Sequence, residues 1–597
     1  MRCILGRPWL SVARLSVVLI AWGMWVAWPA WGWAAVIVAA APWMGQWLIK
    51  RKTPRWTALD AALLLFLLSA GVGLWAGYDR SGVHAIFPAY PMGWAKLWGL
   101  LLAAPLYAAL AALTMETARR WAVALLTGIG AAVALLFSMT HFGIAPPALA
   151  RVAGWLIPND NVIAGVIAPL LVLDVGMLLT PRGDGSAMWK SRLQYWGIAT
   201  GLVMLAALPL TGSRGAWIAL GAALGLATLW QGARRCGRAW LRIGVFTGGL
   251  TVGVLLGGWL VVRSGLWATV IHHPDIANRL WIFLRGLLLV RDYPFTGSGL
   301  GHFALVDSTY AQLIHVPTLP FSHALLLDVA VEQGVVGTLA MIAVWISALW
   351  QGLWALARAE KRLPLLGAGL LALIVIIVHG LGDDALYSSR WSAFLWMPVG
   401  VIVAAQRDAS DVPVWQRRIE RIGAAALAVG LAVALFALRQ ALVPAWYANL
   451  GALAQTRAEL PWYNYQQFDN PTLDQIRQRG DFSVAEAYFN LALTFDTGQP
   501  TARTRLAQMA LARGDYDAAL LHAQAAWDAG HRDRVTRLLF SDALTANGKV
   551  AQAASVAWGL TWADGRLEGQ AFYRYQQQSD WRRASYAKHV ARLLSTD

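Results

Sequence analysis

The chain has 597 residues, of which 58% are hydrophobic and 14% are charged. A soluble protein carries about 25% charged residues, so this composition excludes an ordinary soluble enzyme and predicts an integral membrane protein. The formal net charge of +17 would suit nucleic-acid binding, but the basic residues lie in short loops between apolar segments and therefore indicate membrane topology.

About 12–13 apolar segments are predicted to span the membrane. They lie near residues 15–30, 33–49, 59–77, 94–113, 121–139, 162–180, 193–210, 215–230, 241–262, 323–350, 364–381, 391–405 and 424–443. The loops alternate between rich and poor in Lys and Arg, so the positive-inside rule predicts a cytoplasmic N-terminus. With an odd number of spans, everything after residue 443 lies outside.

The first apolar segment has the length of a secretory signal peptide. It lacks a small-residue cleavage site and runs directly into the second segment, so we expect it to be retained. Cys3 and Cys236 both fall on the expected cytoplasmic side, where a disulfide or a zinc site is not expected from two isolated cysteines.

Two outer turns carry candidate polar residues. Asn159 stands at the entrance to the span near 162–180, where it either caps the following helix or contacts a substrate. Arg214 lies in the short turn of LTGSRGAWIAL, where it is either an interfacial anchor or an anion ligand.

A large outer segment, about 263–322, contains an amphipathic helix with Arg279 and Arg285. Six residues correspond to about 120° around a helix, so these two arginines are not expected to face one ligand. His272 and His273 are adjacent and point in different directions, which argues against a shared metal site.

His323 follows a Gly-rich loop and precedes a long apolar helix, so it lies where a membrane helix begins. An ionisable group in that position is a functional candidate, the alternative being a helix-capping residue. Glu332 is half a turn away from His323 around the helix and is expected to be paired inside the bundle.

The span near 364–381 is followed by further ionisable residues, and it brings His379 and Asp383 to the same outer face. Asp383 either orients His323, binds acceptor hydroxyls or forms a surface ion pair with Arg390, which would contribute little.

The composition changes after Pro444 to that of a soluble helical domain. Gly480, Gly514 and Gly548 begin similar segments, and the interval between them is 34 residues in both cases. This period predicts tetratricopeptide-like repeats, which form a binding scaffold. We therefore predict a transmembrane domain at 1–443 and a helical repeat domain at 444–597.

One set of residues carries a family resemblance: Pro294, Gly297, Gly299, Gly301, His323, Leu326, Glu332, Gly334 and Gly337. Their spacing resembles the signature of the O-antigen ligase and O-antigen polymerase superfamily. The family commonly has Asn after the histidine, whereas this chain has Ala324. The resemblance implies an all-α, GT-C-like polytopic bundle that transfers a glycan from a polyprenyl-diphosphate carrier at the outer membrane face, without a metal or other cofactor.

The resemblance also implies roles for individual residues. His323 is expected to be the catalytic base of an inverting transfer, and Arg214 and Arg279 are expected to bind the carrier diphosphate. Asn159, His379 and Asp383 are expected to support the site or the acceptor. The acceptor stays open between a saccharide, a lipid and a protein, and the repeats could recruit a protein partner.

Two other classes of function stay open. A flippase of lipid-linked glycans would have inverted repeats with broken helices and charges near mid-membrane, whereas the ionisable groups of this chain cluster at the outer ends of helices. A non-catalytic scaffold would tolerate substitutions at Arg214, Arg279 and His323.

Overall fold

The computed structural model describes residues 7–50, 57–77, 87, 89–180, 187–264, 273–314, 316, 318–408, 436–462 and 472–595. The structure is 81% helical, and these ranges contain no strands. The predicted all-α fold is therefore confirmed.

The first part of the chain forms fourteen helices of at least eight residues within the described ranges. They are α1 Arg7–Ala27, α2 Gly32–Lys50, α3 Ala58–Ala76, α4 Gly93–Ala111, α5 Glu116–His141, α6 Pro147–Leu156, α7 Asp160–Leu179, α8 Ala187–Leu210, α9 Arg214–Ala233, α10 Ala239–Arg263, α11 Pro274–Asp292, α12 Leu325–Arg358, α13 Pro364–Gly380 and α14 Met397–Ala405.

Eight helices in the described part of the chain are long and apolar enough to cross a membrane, namely α1, α3, α4, α5, α7, α8, α9 and α12. Three shorter apolar helices lie at Pro29–Met44, Pro364–Gly380 and Ser392–Ala405. The protein is therefore a multi-pass membrane protein. Most of the last predicted span, 424–443, lies outside the described residues.

Small residues let the central helices approach closely. Helix α7 packs against α5, α8 and α13. A Cβ atom at Gly176 would overlap Ala368 of α13, and one at Gly165 would lie 2.9 Å from the His379 ring. Without a hydrophobic force between helices inside a bilayer, such close contact supplies the packing energy.

The long helix α12 is interrupted at Gly334, which has φ 71° and ψ −171°. The Gly-rich loop fits into this break. The Ser298 amide donates to the Val331 carbonyl at 2.7 Å, and the Val335 amide donates to the Pro294 carbonyl at 2.8 Å. The loop thus satisfies backbone groups that the interrupted helix leaves unpaired.

Gly297 is required at the same place for a steric reason. It has φ 68°, and a Cβ there would overlap the backbone of Glu332. Only glycine adopts this conformation without strain and allows the two backbones to meet. The signature glycines therefore lock the loop to the helix that follows His323.

The C-terminal part consists of further helices. They are α15 Arg439–Glu459, α16 Thr472–Arg479, α17 Ser483–Phe495, α18 Pro500–Arg513, α19 Tyr516–Asp528, α20 Arg534–Ala546, α21 Val550–Ala557, α22 Ala563–Gln570 and α23 Trp581–Ser595. Gly480, Gly514 and Gly548, which mark the 34-residue period of the sequence, each lie between two helices. Their identity as tetratricopeptide repeats stays a prediction, and the expected boundary after residue 443 falls inside α15.

Ion pairs connect these helices to the end of α11, and a hydrogen bond connects them to the segment ahead of His323. The Arg505 guanidinium lies 3.0 Å from Asp292, and the Arg291 guanidinium lies 2.8 Å from Asp533. Tyr310 donates to the carboxylate of Glu459. The C-terminal helices therefore brace the outer segment that leads to the site.

Candidate functional site

His323 lies just before the first turn of α12, in a constrained backbone conformation. Its φ is 59°, a left-handed value that costs a non-glycine residue about 1–3 kcal/mol. Asp328 stabilises the bend, because its carboxylate accepts from the Ser322 amide at 2.7 Å and its amide donates to the Ala324 carbonyl at 2.9 Å. Since Ala324 is the N-cap residue, the helix-capping interpretation of His323 is wrong.

Asp383 joins His323 to Arg279. The Asp383 amide donates to the His379 carbonyl at 2.9 Å, which fixes the residue just beyond the end of α13. One carboxylate oxygen lies 3.5 Å from Nδ1 of His323, and the other lies 3.7 Å from Nη2 of Arg279. Three residues from distant parts of the sequence thus meet at one carboxylate.

The interpretation of Asp383 as one partner of a surface ion pair with Arg390 is wrong. Asp383 and Arg390 are only 4% and 7% exposed, respectively, so neither lies on the surface. Arg390 instead donates to the Val26 carbonyl at 3.2 Å.

The Asp383 carboxylate is kept charged by its surroundings. Burial alone would raise the pKa of Asp383, but the neighbouring His323, His379 and Arg279 outweigh burial and hold the pKa below its ordinary value. Neither Asp383 oxygen, nor Nδ1 of His323, nor Nε2 of His379 has a hydrogen-bond partner among the described residues. Such buried groups are costly unless a ligand or water satisfies them, so the site is suited to a polar ligand.

Arg279 and Arg285 of α11 face different partners, as their spacing predicts. Arg285 forms a two-point contact with Asp307, at 2.9 and 3.2 Å, away from the site. Arg279 is 35% exposed and faces Asp383. Arg279 is therefore the arginine of α11 that a ligand at this site can reach.

Arg214 is the first residue of α9, and its side chain is 79% exposed. Its guanidinium lies 3.5 Å from Asp275, which precedes Arg279 by one turn on α11. The next residue, Gly215, is adjacent to His379, because a Cβ there would be 3.8 Å from Nε2. The structure thus places Arg214 at the edge of the site, beside the helix that carries Arg279.

Asn159 caps α7 and also forms a hydrogen bond with Tyr90, a residue that the sequence did not single out. Its Oδ1 accepts from the Val162 amide at 2.9 Å, and its Nδ2 donates to the Tyr90 hydroxyl at 2.8 Å. The capping interpretation is confirmed for this side chain. Tyr90 carries no local sequence signal, since its partner is 69 residues away.

A buried polar network lies beneath the site. Lys96 Nζ is 2.6 Å from Glu332, and both side chains are 1% exposed. Tyr387 donates to Glu332 at 3.0 Å and its ring faces Lys96 Nζ at 3.9 Å. The expectation that Glu332 is paired inside the bundle is confirmed.

Asp384 lies next to this network. Burial raises the pKa of Asp384 to about 6, although Lys96 and a hydrogen bond from Ser388 offset part of the effect. The pKa values of the two neighbouring carboxyls are therefore shifted in opposite directions, and Asp383 is the one whose pKa is lowered by the partners that face the site.

The described residues contain no group of three or more His, Cys, Asp and Glu side chains arranged to hold a metal. His273 lies 3.7 Å from Asp275, and its neighbour His272 is outside the described residues.

The fold and the site together define a polytopic helical membrane protein with a His–Asp–Arg site at the ends of its helices. Residues 199–342 match the family model described as O-antigen ligase. This match covers about a quarter of the chain and supports its place in the O-antigen ligase superfamily, which confirms the resemblance. No curated protein matches the chain significantly.

The matched segment contains Arg214, Arg279 and His323. Asn159, His379 and Asp383 lie outside it. The family supports a membrane glycosyltransferase-like role of the ligase or polymerase type.

Proposed function

We propose that this protein transfers a glycan from a polyprenyl-diphosphate carrier to a saccharide, lipid or protein acceptor at the outer face of the cytoplasmic membrane. The observation that carries the proposal is the meeting of His323 and Arg279 at the buried carboxylate of Asp383. It joins an imidazole, which can serve as a general base, with a guanidinium, which can bind phosphate.

His323 acts as the general base for the acceptor hydroxyl in this proposal. Asp383 faces Nδ1 of the imidazole, which leaves Nε2 to take the proton. The hydroxyl oxygen attacks the anomeric carbon, the bond to the carrier diphosphate breaks, and the configuration inverts. The diphosphate keeps the electron pair of the broken bond.

Arg279 and Arg214 bind the diphosphate and stabilise the negative charge that grows as it leaves. Two features favour this assignment. Arg214 begins a 20-residue helix, whose N-terminus favours anions, and Nε2 of His379, which has no hydrogen-bond partner within the described part of the chain, lies beside Gly215. Both arginine side chains are exposed enough to exchange their carboxylate partners for phosphate.

The proposed topology puts the N-terminus in the cytoplasm and the C-terminal helices outside, on the side of the site. Those helices contact the end of α11, and we propose that they also recruit a protein partner or a polypeptide acceptor.

Sealed proteoliposomes that contain a lipid-linked oligosaccharide and a glycolipid acceptor test the function. Wild type is expected to form polymer or glycosylated acceptor, whereas His323→Ala and Arg279→Ala are expected to lose at least about a hundredfold in rate. His589→Ala and Arg592→Ala are matched controls, since both residues are exposed on the last helix. Translocation of the oligosaccharide without transfer would instead indicate a flippase.

A further inference from the structure

Tyr90 stands at the rim of the site, on the segment between α3 and α4, and it is half-buried. Its ring centroid is 5.3 Å from that of Phe321, which in turn is 4.7 Å from the His323 ring. The Gly93 amide donates to the Leu300 carbonyl at 2.9 Å, so the segment is attached to the Gly-rich loop. Tyr90 and His323 therefore both pack against the ring of Phe321 at the rim of the site.

The hydrogen bond of Tyr90 with Asn159 has a defined direction. The Oδ1 atom of Asn159 is occupied by the Val162 amide, so the group that faces Tyr90 is the amide Nδ2, at 2.8 Å. An amide NH2 only donates, so the Tyr90 oxygen accepts. The hydroxyl proton of Tyr90 is consequently available to another oxygen.

The surroundings keep that proton in place. Burial raises the pKa of Tyr90 to about 12, with a further contribution from the negative charges of Asp383 and Asp384, although the hydrogen bond from Asn159 lowers it in part. Tyr90 thus keeps its proton and serves as a neutral donor, and Asp383 and Asp384 lie close enough for their charges to raise its pKa.

We propose that the Tyr90 hydroxyl donates a hydrogen bond to a hydroxyl oxygen of a saccharide acceptor and thereby positions another hydroxyl of that saccharide for His323. The inference rests on the proposed function and names the acceptor as a saccharide that offers at least two hydroxyls to the site. Tyr90 keeps its proton throughout, so it takes part in binding and orientation and not in proton transfer.

Asn159 controls the direction of this hydrogen bond, and that gives a discriminating variant. Asn159→Asp keeps the oxygen that caps α7, because Asp is as good an N-cap residue as Asn. It replaces the donor that faces Tyr90 by an acceptor, so the Tyr90 proton turns toward residue 159 and away from the substrate. Tyr90→Phe removes the same hydrogen bond directly.

The experiment compares wild type, Tyr90→Phe, Asn159→Asp and the double variant in the same proteoliposomes, with the glycolipid acceptor varied. Each single variant is expected to lower kcat/KM for the acceptor about three- to tenfold, the loss typical of one neutral hydrogen bond. The double variant is expected to be no worse than the poorer single variant, because both act through one hydroxyl. The donor KM and the slow hydrolysis of donor by water are expected to stay unchanged.

Two outcomes overturn the inference while leaving the proposed function intact. The first is wild-type acceptor kinetics in both single variants. The second is a loss of transfer that is matched by an equal change in donor KM or donor hydrolysis, which would assign Tyr90 to donor binding or folding. Absence of transfer by the wild-type protein would overturn both proposals together.

Discussion

Asp383→Asn isolates the charge at the centre of the site. The substitution preserves the shape of the side chain and removes the negative charge that lies 3.5 Å from His323 and 3.7 Å from Arg279. Because the Asp383 side chain is 5% exposed, water compensates little for this loss.

The size of the effect follows from the distance. Two unit charges about 4 Å apart interact by about 4 kcal/mol at an effective dielectric constant of about 20. If His323 carries between half and all of a positive charge in the transition state, Asp383 stabilises it by about 2–4 kcal/mol. We therefore expect kcat to fall about 30- to 1000-fold.

The assay is glycan transfer in proteoliposomes with donor and acceptor each varied. In Asp383→Asn the donor KM is expected not to rise, because Arg279 keeps its charge and loses a competing carboxylate. Arg279→Ala, in contrast, is expected to raise donor KM. Asp517→Asn, an exposed change on α19, is the matched control.

A kcat within about twofold of wild type in a folded Asp383→Asn protein would refute this reasoning. Asp383 would then not stabilise a positive charge that develops on His323 during the reaction. A rise in donor KM with no change in kcat would refute it as well.

Three further substitutions test what holds the site together. Lys96→Met leaves the buried Glu332 charge unpaired and is expected to cost about 3–5 kcal/mol of stability in detergent, whereas adding Glu332→Gln should recover most of it. Gly334→Ala puts a side chain at φ 71° and about 2.7 Å from a backbone carbonyl carbon, so folded yield should drop. Gly367→Ala should be tolerated, because no atom of the described residues lies within 4 Å of the added Cβ. Asp533→Asn removes the carboxyl that pairs with Arg291. Burial alone would raise the pKa of Asp533, but Arg291 outweighs burial and lowers it. Wild type should therefore be the more stable above about pH 4, and the difference should vanish as pH falls through the lowered pKa; a pH-independent difference in unfolding temperature would argue against the ion pair.

Hydropathy was sufficient to predict most of the bundle. A long apolar segment in a membrane has few ways to pair its backbone N–H and C=O groups other than an α-helix. Almost every predicted span therefore coincides with a helix. His323 could likewise be singled out, because an ionisable residue between a Gly-rich loop and an apolar helix is a local signal. The role of the glycines was not visible, since Gly297 meets the break at Gly334 only after the chain has folded back.

The remaining site residues depend on contacts that are distant in sequence. Tyr90 is connected to the site by its hydrogen bond with Asn159 and by its packing against Phe321, which also contacts His323. No local sequence pattern marks it. Lys96 did carry a signal, because a lone lysine within an apolar segment needs a buried partner. The sequence located Arg214 in its turn, but only the structure shows that its side chain faces Asp275 and not the Asp383 carboxylate.

Chemical rescue of His323→Ala by imidazole tests the central claim most directly. The His323 side chain is 23% exposed, so the cavity left by its removal is open to a small base. If His323 accepts the acceptor proton, added imidazole is expected to restore transfer in a concentration-dependent manner and to leave His589→Ala unchanged. Full transfer by His323→Ala without imidazole, or no rescue in a variant that still binds donor and keeps its unfolding temperature, would contradict the account.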